Sequence, residues 1–162
     1  ALGDTEGHLP LNILTESKVS TSFLDPRAET WRRVGYTTGA IETLTVPVTT
    51  IDAYEREQEI DAVYLMKIDV QGYELQVLRG AIETLPRVDH IFVEAGIQRL
   101  YEGAPSFADV FGFLTERGFH LMTMRAWHRG NHRLVETDML FRRDDLAPPG
   151  DKQRERYYLE FK

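Results

Sequence analysis

The sequence predicts an α/β fold built on an open, mostly parallel sheet with one antiparallel strand at its edge. Two observations carry this. Two apolar runs, Ala62 to Val70 and Val88 to Ala95, are each followed by a segment with helical spacing of its apolar residues, which is the pattern of successive β-α units. The last two apolar stretches, His120 to Trp127 and Leu134 to Arg142, are separated only by a short turn around Arg129, Gly130 and Asn131, and so short a link requires an antiparallel pair.

Each element follows from its own residues. The first forty positions are rich in Thr, Ser and Gly and show no period. Ile41, Leu44, Val46 and Val48 then suggest a short strand. Thr50 precedes a helix of one or two turns over Ile51 to Gln58, with Asp52 in its first turn. Ala62 to Val70 is almost continuously apolar, as expected of a parallel strand covered on both faces. Gly72 permits a sharp exit, and Leu75, Leu78, Ala81, Ile82 and Leu85 mark one helix face until Pro86 stops it. Val88 to Ala95 repeats the strand. Ser106 and Asp109 form a capping box for a helix lined by Phe107, Val110, Phe111 and Leu114 and ended by Gly118. Residues 144–162, with a PPG stretch and a charged run, read as a tail beyond a single domain spanning 1–143.

Composition narrows the function. A length of 162 residues suits one domain, and 42% hydrophobic with 28% charged residues is ordinary for a globular protein. Twenty-six acids against nineteen bases give a net charge of -7, which repels phosphate backbones and argues against nucleic acid. The short basic clusters, Arg125 to Arg133 and Lys152 to Arg156, read as solvated. There is no cysteine, so disulfides, thiolate metal sites and cysteine nucleophiles are excluded together, and a cytoplasmic location is compatible. No apolar run approaches the ~20 residues of a membrane span. No G-x-S-x-G elbow and no phosphate-binding loop occurs. His128 and His132 are four apart but straddle the turn at Gly130, which removes the helical spacing two metal ligands would need.

In an open α/β sheet, ligands bind beyond the carboxyl ends of the strands. Asp69 ends the first buried strand and Glu94 lies near the end of the second, so they are expected within ~5 to 10 Å of one another. Glu74, in the first turn of the next helix, points back over the same edge. Asp69 and Glu74 have a plainer reading as charges that stabilise a helix N-terminus. Glu94 sits within IFVEA and needs a partner or an open crevice, because a bare buried carboxylate is costly. Lys67 is expected to pair with one of these acids or to extend to the strand end.

The stretch KIDVQGYELQVLRGA closely resembles the signature of FkbM-type methyltransferases, which use S-adenosylmethionine. ALGDTEG at the start, TSFL at 21–24, VPVTTID at 46–52, VEAGIQRLYEGAPSF at 93–107, LTERGFHL at 114–121 and TDMLFRR at 137–143 resemble that family's further blocks in order. The resemblance implies a Rossmann-like class I methyltransferase sheet with an antiparallel last strand. It places Ala1 to Asp4 after the third strand of such a sheet, so Leu2, Asp4 and Asp69 become cofactor contacts, with Asp4 facing the adenine amino group. Asp69, Glu94 and Glu74 become the catalytic candidates, and either Asp69 or Glu94 the base. Two departures stand out. No G-x-G occurs, so the chain is expected to lack the first two strands and the glycine-rich cofactor turn, and by itself to bind cofactor poorly. Gln71 stands where the family usually has glutamate.

The expected activity is therefore transfer of a methyl group from S-adenosylmethionine to a hydroxyl of a sugar or secondary metabolite. A divalent cation bridging the acids is chemically reasonable, but no spacing is diagnostic and no metal is assigned. A homo-oligomer is compatible with the sequence. The competing reading is a degenerate methyltransferase fold that serves as a non-catalytic binding or assembly module.

Overall fold

The computed structural model describes residues 1–129 and 133–143; the predicted tail, the tip of the predicted hairpin and His132 lie outside the described residues. Among the described residues, six strands and four α-helices follow in the order β1 (Gly7–Leu14), α1 (Ala28–Arg33), β2 (Ile41–Val48), α2 (Ile51–Glu57), β3 (Val63–Ile68), α3 (Glu74–Arg79), β4 (Val88–Gly96), α4 (Phe107–Thr115), β5 (Phe119–Arg129) and β6 (Arg133–Arg143).

The main sheet has the order β3-β4-β6-β5. β3 and β4 are parallel, Val63 opposite Val88 and Ile68 opposite Val93. β6 is antiparallel both to β4 and to β5, so β3, β4 and β5 share one direction. Two of the three ladders are thus antiparallel, which corrects the expectation of a mostly parallel sheet. The antiparallel strand also lies inside the sheet rather than at its edge. Burial explains its place: Val135, Thr137, Met139 and Phe141 of β6 are completely buried, whereas Leu121, Met122 and Met124 of β5 stay exposed. The strand with the fully buried alternating face goes inward, and its hairpin mate takes the edge.

β3 also departs from expectation. Met66 and Ile68 are buried, but Tyr64 and Leu65 are exposed and β3 is the other edge strand. In β4, Ile91, Val93 and Ala95 are completely buried, while the alternate residues His90, Phe92 and Glu94 are only partly covered. Val77 and Leu78 of α3 and Val110 and Leu114 of α4 join the buried residues in one core. Among the described residues, helices therefore cover one face of this sheet and not both.

β1 and β2 form a separate antiparallel pair, from Gly7 opposite Val48 to Leu14 opposite Ile41. β1 escaped the sequence reading because Pro10 and Asn12 interrupt its alternation. A second core lies next to this pair, where Leu14, Trp31, Tyr101 and Val135 pack together and the Trp31 indole donates to the Leu100 carbonyl at 2.8 Å.

The predicted caps are present. The Thr50 hydroxyl accepts the Ala53 N–H at 3.0 Å. Ser106 and Asp109 form the reciprocal capping box, at 3.3 Å and 2.7 Å. The Ser106 hydroxyl also donates to Asp109 Oδ2 at 2.7 Å, and this bond first, then that from the Ser106 N–H, holds the Asp109 carboxyl below its usual range. α3 stops at Arg79 instead of continuing to Pro86, because the backbone of Gly3 crosses at Gly80. A Cβ on Gly80 would stand 2.0 Å from the Gly3 carbonyl oxygen.

Candidate active site

Because Ile68 pairs with Val93, the residues that follow them, Asp69 and Glu94, leave the parallel pair side by side. The chain then turns sharply at two successive residues with positive φ, Gln71 at 53° and Gly72 at 92°. Glycine adopts this region freely; glutamine does so at a cost. A Cβ on Gly72 would also press on Tyr101 at 3.1 Å and Ala104 at 3.2 Å, so the turn is packed tightly against the loop after β4. The Ser22 hydroxyl, itself buried, donates to the Gln71 carbonyl at 2.7 Å and fastens the turn from the other side.

This turn puts the Gln71 side chain between the acids. Its amide nitrogen donates to Asp69 Oδ1 at 3.2 Å and to Glu94 Oε2 at 3.0 Å. Its amide oxygen accepts from the Tyr101 hydroxyl at 3.0 Å. Lys67 reaches the other Asp69 oxygen at 3.2 Å and makes the expected ion pair, in an exposed setting. Glu74 is buried and turns its carboxylate back onto the Gly72 N–H at 2.9 Å. The predicted trio Asp69, Glu74 and Glu94 does converge.

Two further acids complete the cluster. In the β4–β6 register Glu94 lies opposite Asp138, and Gly96 lies opposite Glu136. Burial raises the Glu94 carboxyl to about 8, with Glu136, Asp69, Asp138 and Glu74 adding to the shift in that order. Burial likewise raises Glu74, against the opposing pull of the Gly72 N–H. Tyr101 is raised by burial first and by Glu136 next. A small cavity of about 20 Å³ lies among Glu74, Glu94, Glu136, Arg99 and Tyr101, room for roughly one water. Asp69, with 40% of its side chain exposed, faces out from the same cluster.

Residues 1–121 match the family model described as Methyltransferase FkbM domain. The chain belongs to this family. No curated protein and no solved structure matches it. The matched segment of this FkbM domain contains Asp69, Gln71, Glu74, Glu94 and Tyr101, whereas Glu136 and Asp138 lie beyond it.

The other expected contacts of the FkbM domain fall elsewhere. Leu2 packs at the side of the main core and lines an apolar groove of about 210 Å³ along β3, with Tyr54, Leu65 and Val70. Asp4 is exposed and near Tyr73, whose phenol is raised by burial first and by Asp4 second. Neither lines the cavity between Glu74 and Glu94. Among the described residues, no three His, Asp or Glu side chains are placed to hold a metal ion, and no helix is long and apolar enough to cross a membrane. Sequence reasoning missed Gln71, Tyr101, Glu136 and Asp138 as members of the site. A signal existed for the last two, since acids two apart in LVETDML occupy one face of an otherwise apolar strand.

Proposed function

We propose that this FkbM domain serves methyl transfer from S-adenosylmethionine to a hydroxyl of a sugar or secondary metabolite. The observation that carries the reading is the pair of carboxylates at the ends of two adjacent parallel strands, Asp69 and Glu94, joined by one amide. Methyl transfer to a hydroxyl needs the acceptor aligned and its proton removed. Asp69 is the base: its carboxylate is solvent-accessible and steadied by Lys67 and Gln71. Glu94, raised to about 8, holds its proton at neutral pH and offers the acceptor oxygen a hydrogen bond. Glu74 stays with the backbone of the turn and shapes the wall of the cavity.

The four-stranded sheet is read as belonging to a Rossmann-like sheet of the class I kind. S-adenosylmethionine supplies a methyl group on a positively charged sulfur. The chemistry of the site suits a cation of that kind, since five carboxylates converge, with Lys67 beside Asp69, Arg99 at the cavity and Arg125 opposite Asp138. Asp69 and Asp4 would face the donor and Leu2 would provide apolar contact.

Isothermal titration with S-adenosylmethionine, on a chain extended upstream of Ala1, tests the reading. Saturable binding, together with methyl transfer to a panel of sugar and metabolite hydroxyls, supports it. No heat at millimolar ligand favours instead the non-catalytic binding module, a reading that the lack of any G-x-G in the chain also favours.

A further inference from the structure

The amide of Gln71 meets three demands at once. Its two N–H donors go to two different carboxylates, and its oxygen receives a phenol. Reversing the amide would set its oxygen against two acceptors, so the orientation is fixed by charge whenever both acids are ionised. The Tyr101 hydroxyl has one proton but faces two acceptors, the Gln71 oxygen and the Ser20 carbonyl, each at 3.0 Å. The backbone of Gln71 is held in the left-handed region by the Ser22 hydroxyl and by the packing of Gly72 on Tyr101, although a glutamine does not adopt it readily. Such an arrangement persists only where the surroundings impose it.

We propose that Gln71 is the positioning residue of the carboxylate pair: its amide separates and orients Asp69 and Glu94, and leaves an oxygen of Glu94 directed at the acceptor. Among the described residues, only Oε2 of Glu94 takes a hydrogen bond; Oε1 takes none. Without the amide, the Asp69 carboxylate would take its hydrogen bond from the proton that Glu94 already holds at neutral pH, which would turn that proton away from the acceptor and bind it more tightly. The groups around Glu94 are Asp69 from the end of β3, Glu74 from α3, Glu136 and Asp138 from β6 and, from the loop after β4, Tyr101 and the Arg99 that shares its cavity. Arg125 of β5 lies opposite Asp138 in register, and Lys67 is on the far side of Asp69. All the acids push Glu94 toward its neutral form, and the Gln71 N–H is the hydrogen bond that favours its ionised form. The inference rests on the methyl-transfer reading for its consequence, but its geometry stands apart from that reading.

The test is a ¹³C carboxyl NMR titration of the full chain, in the parent and in Gln71→Gly, Gln71→Asn and Gln71→Glu. Glycine suits the left-handed turn, so Gln71→Gly is expected to keep a melting temperature at least equal to the parent's while it removes the amide. Its Glu94 should then bind protons at least about threefold more tightly than the parent's. Asparagine tolerates the same backbone but is one methylene short, and it should give the same shift. Gln71→Glu adds a third acid and should shift Glu94 further in the same direction. An unchanged Glu94 titration in a folded Gln71→Gly protein overturns the proposal. In transfer assays, Gln71→Gly should lower kcat at neutral pH by about tenfold or more, with KM for S-adenosylmethionine nearly unchanged; an unchanged kcat and pH profile also overturns it. A parent protein that transfers no methyl group refutes the methyl-transfer reading alone, because the titration still decides the role of Gln71.

Discussion

Glu94 lies directly opposite Asp138 in the β4–β6 ladder, two acids facing one another across an antiparallel pair. Like charges in that position destabilise a sheet, and Asp138 adds to the raised Glu94 carboxyl, after burial, Glu136 and Asp69.

A pH dependence of stability follows. Glu94 rises from 4.5 in the unfolded chain to about 8 in the folded protein, so the folded state binds its proton more tightly. The contribution of this group is complete below pH 4.5 and is lost as pH rises through about 8. Thermal unfolding from pH 5 to 9 should show a falling melting temperature, and Glu94→Gln should flatten the fall and gain of order 1–2 kcal/mol at pH 9. A parent and a variant with parallel profiles would contradict this assignment.

Asp69→Asn separates chemistry from folding. Its carboxylate is partly exposed and its ion pair with Lys67 is a surface one, worth about 0–1 kcal/mol. Stability in urea should therefore change by less than about 1 kcal/mol, while methyl transfer should drop by roughly 10²–10⁴-fold if Asp69 is the base. Retained turnover would remove Asp69 from that role.

Gly80→Ala should be severely destabilising for a purely steric reason. Gly80 has an ordinary φ of -77°, so no backbone preference is at stake, but the added Cβ would meet the Gly3 carbonyl at 2.0 Å. Backbone on both sides cannot yield cheaply, and a loss of about 3 kcal/mol or more is expected from overpacking. Equilibrium unfolding in urea, compared with Gly112→Ala where nothing stands within 4 Å, measures the effect.

Asp52 ties α2 to the segment after α3. Its two oxygens accept the N–H groups of Glu83 at 3.0 Å and Thr84 at 2.8 Å, and Thr84 is completely buried. Asp52→Ala should cost about 1–3 kcal/mol by removing two charge-assisted hydrogen bonds, although the Thr84 N–H keeps the Ala81 carbonyl at 3.0 Å. Asp52→Asn, which keeps one acceptor oxygen, should recover part of that loss in the same unfolding experiment.

Much of the site was legible before folding because its determinants are local. An apolar run, a glycine and a helical period place Asp69 and Glu94 at strand ends and Glu74 in the first helical turn, and short-range rules suffice for each. The caps at Thr50 and Ser106 were readable for the same reason, as each bond spans three residues. β3 was misread as a strand covered on both faces, because an apolar run shows that its residues are not polar and does not show whether anything packs on them. Tyr64 and Leu65 are apolar and exposed.

The sequence by itself determined the β-α units, the acids at their ends and the membership of the FkbM family, all of which reside in contiguous stretches. Only the tertiary structure decided what those acids face. β6 inserts between β4 and β5 and brings Asp138 against Glu94, and the left-handed turn at Gln71 swings an amide between Asp69 and Glu94 while Tyr101 approaches from a distant loop. Strand order and register are settled by which faces bury most completely across the whole sheet, a property of pairs of segments that no single segment contains.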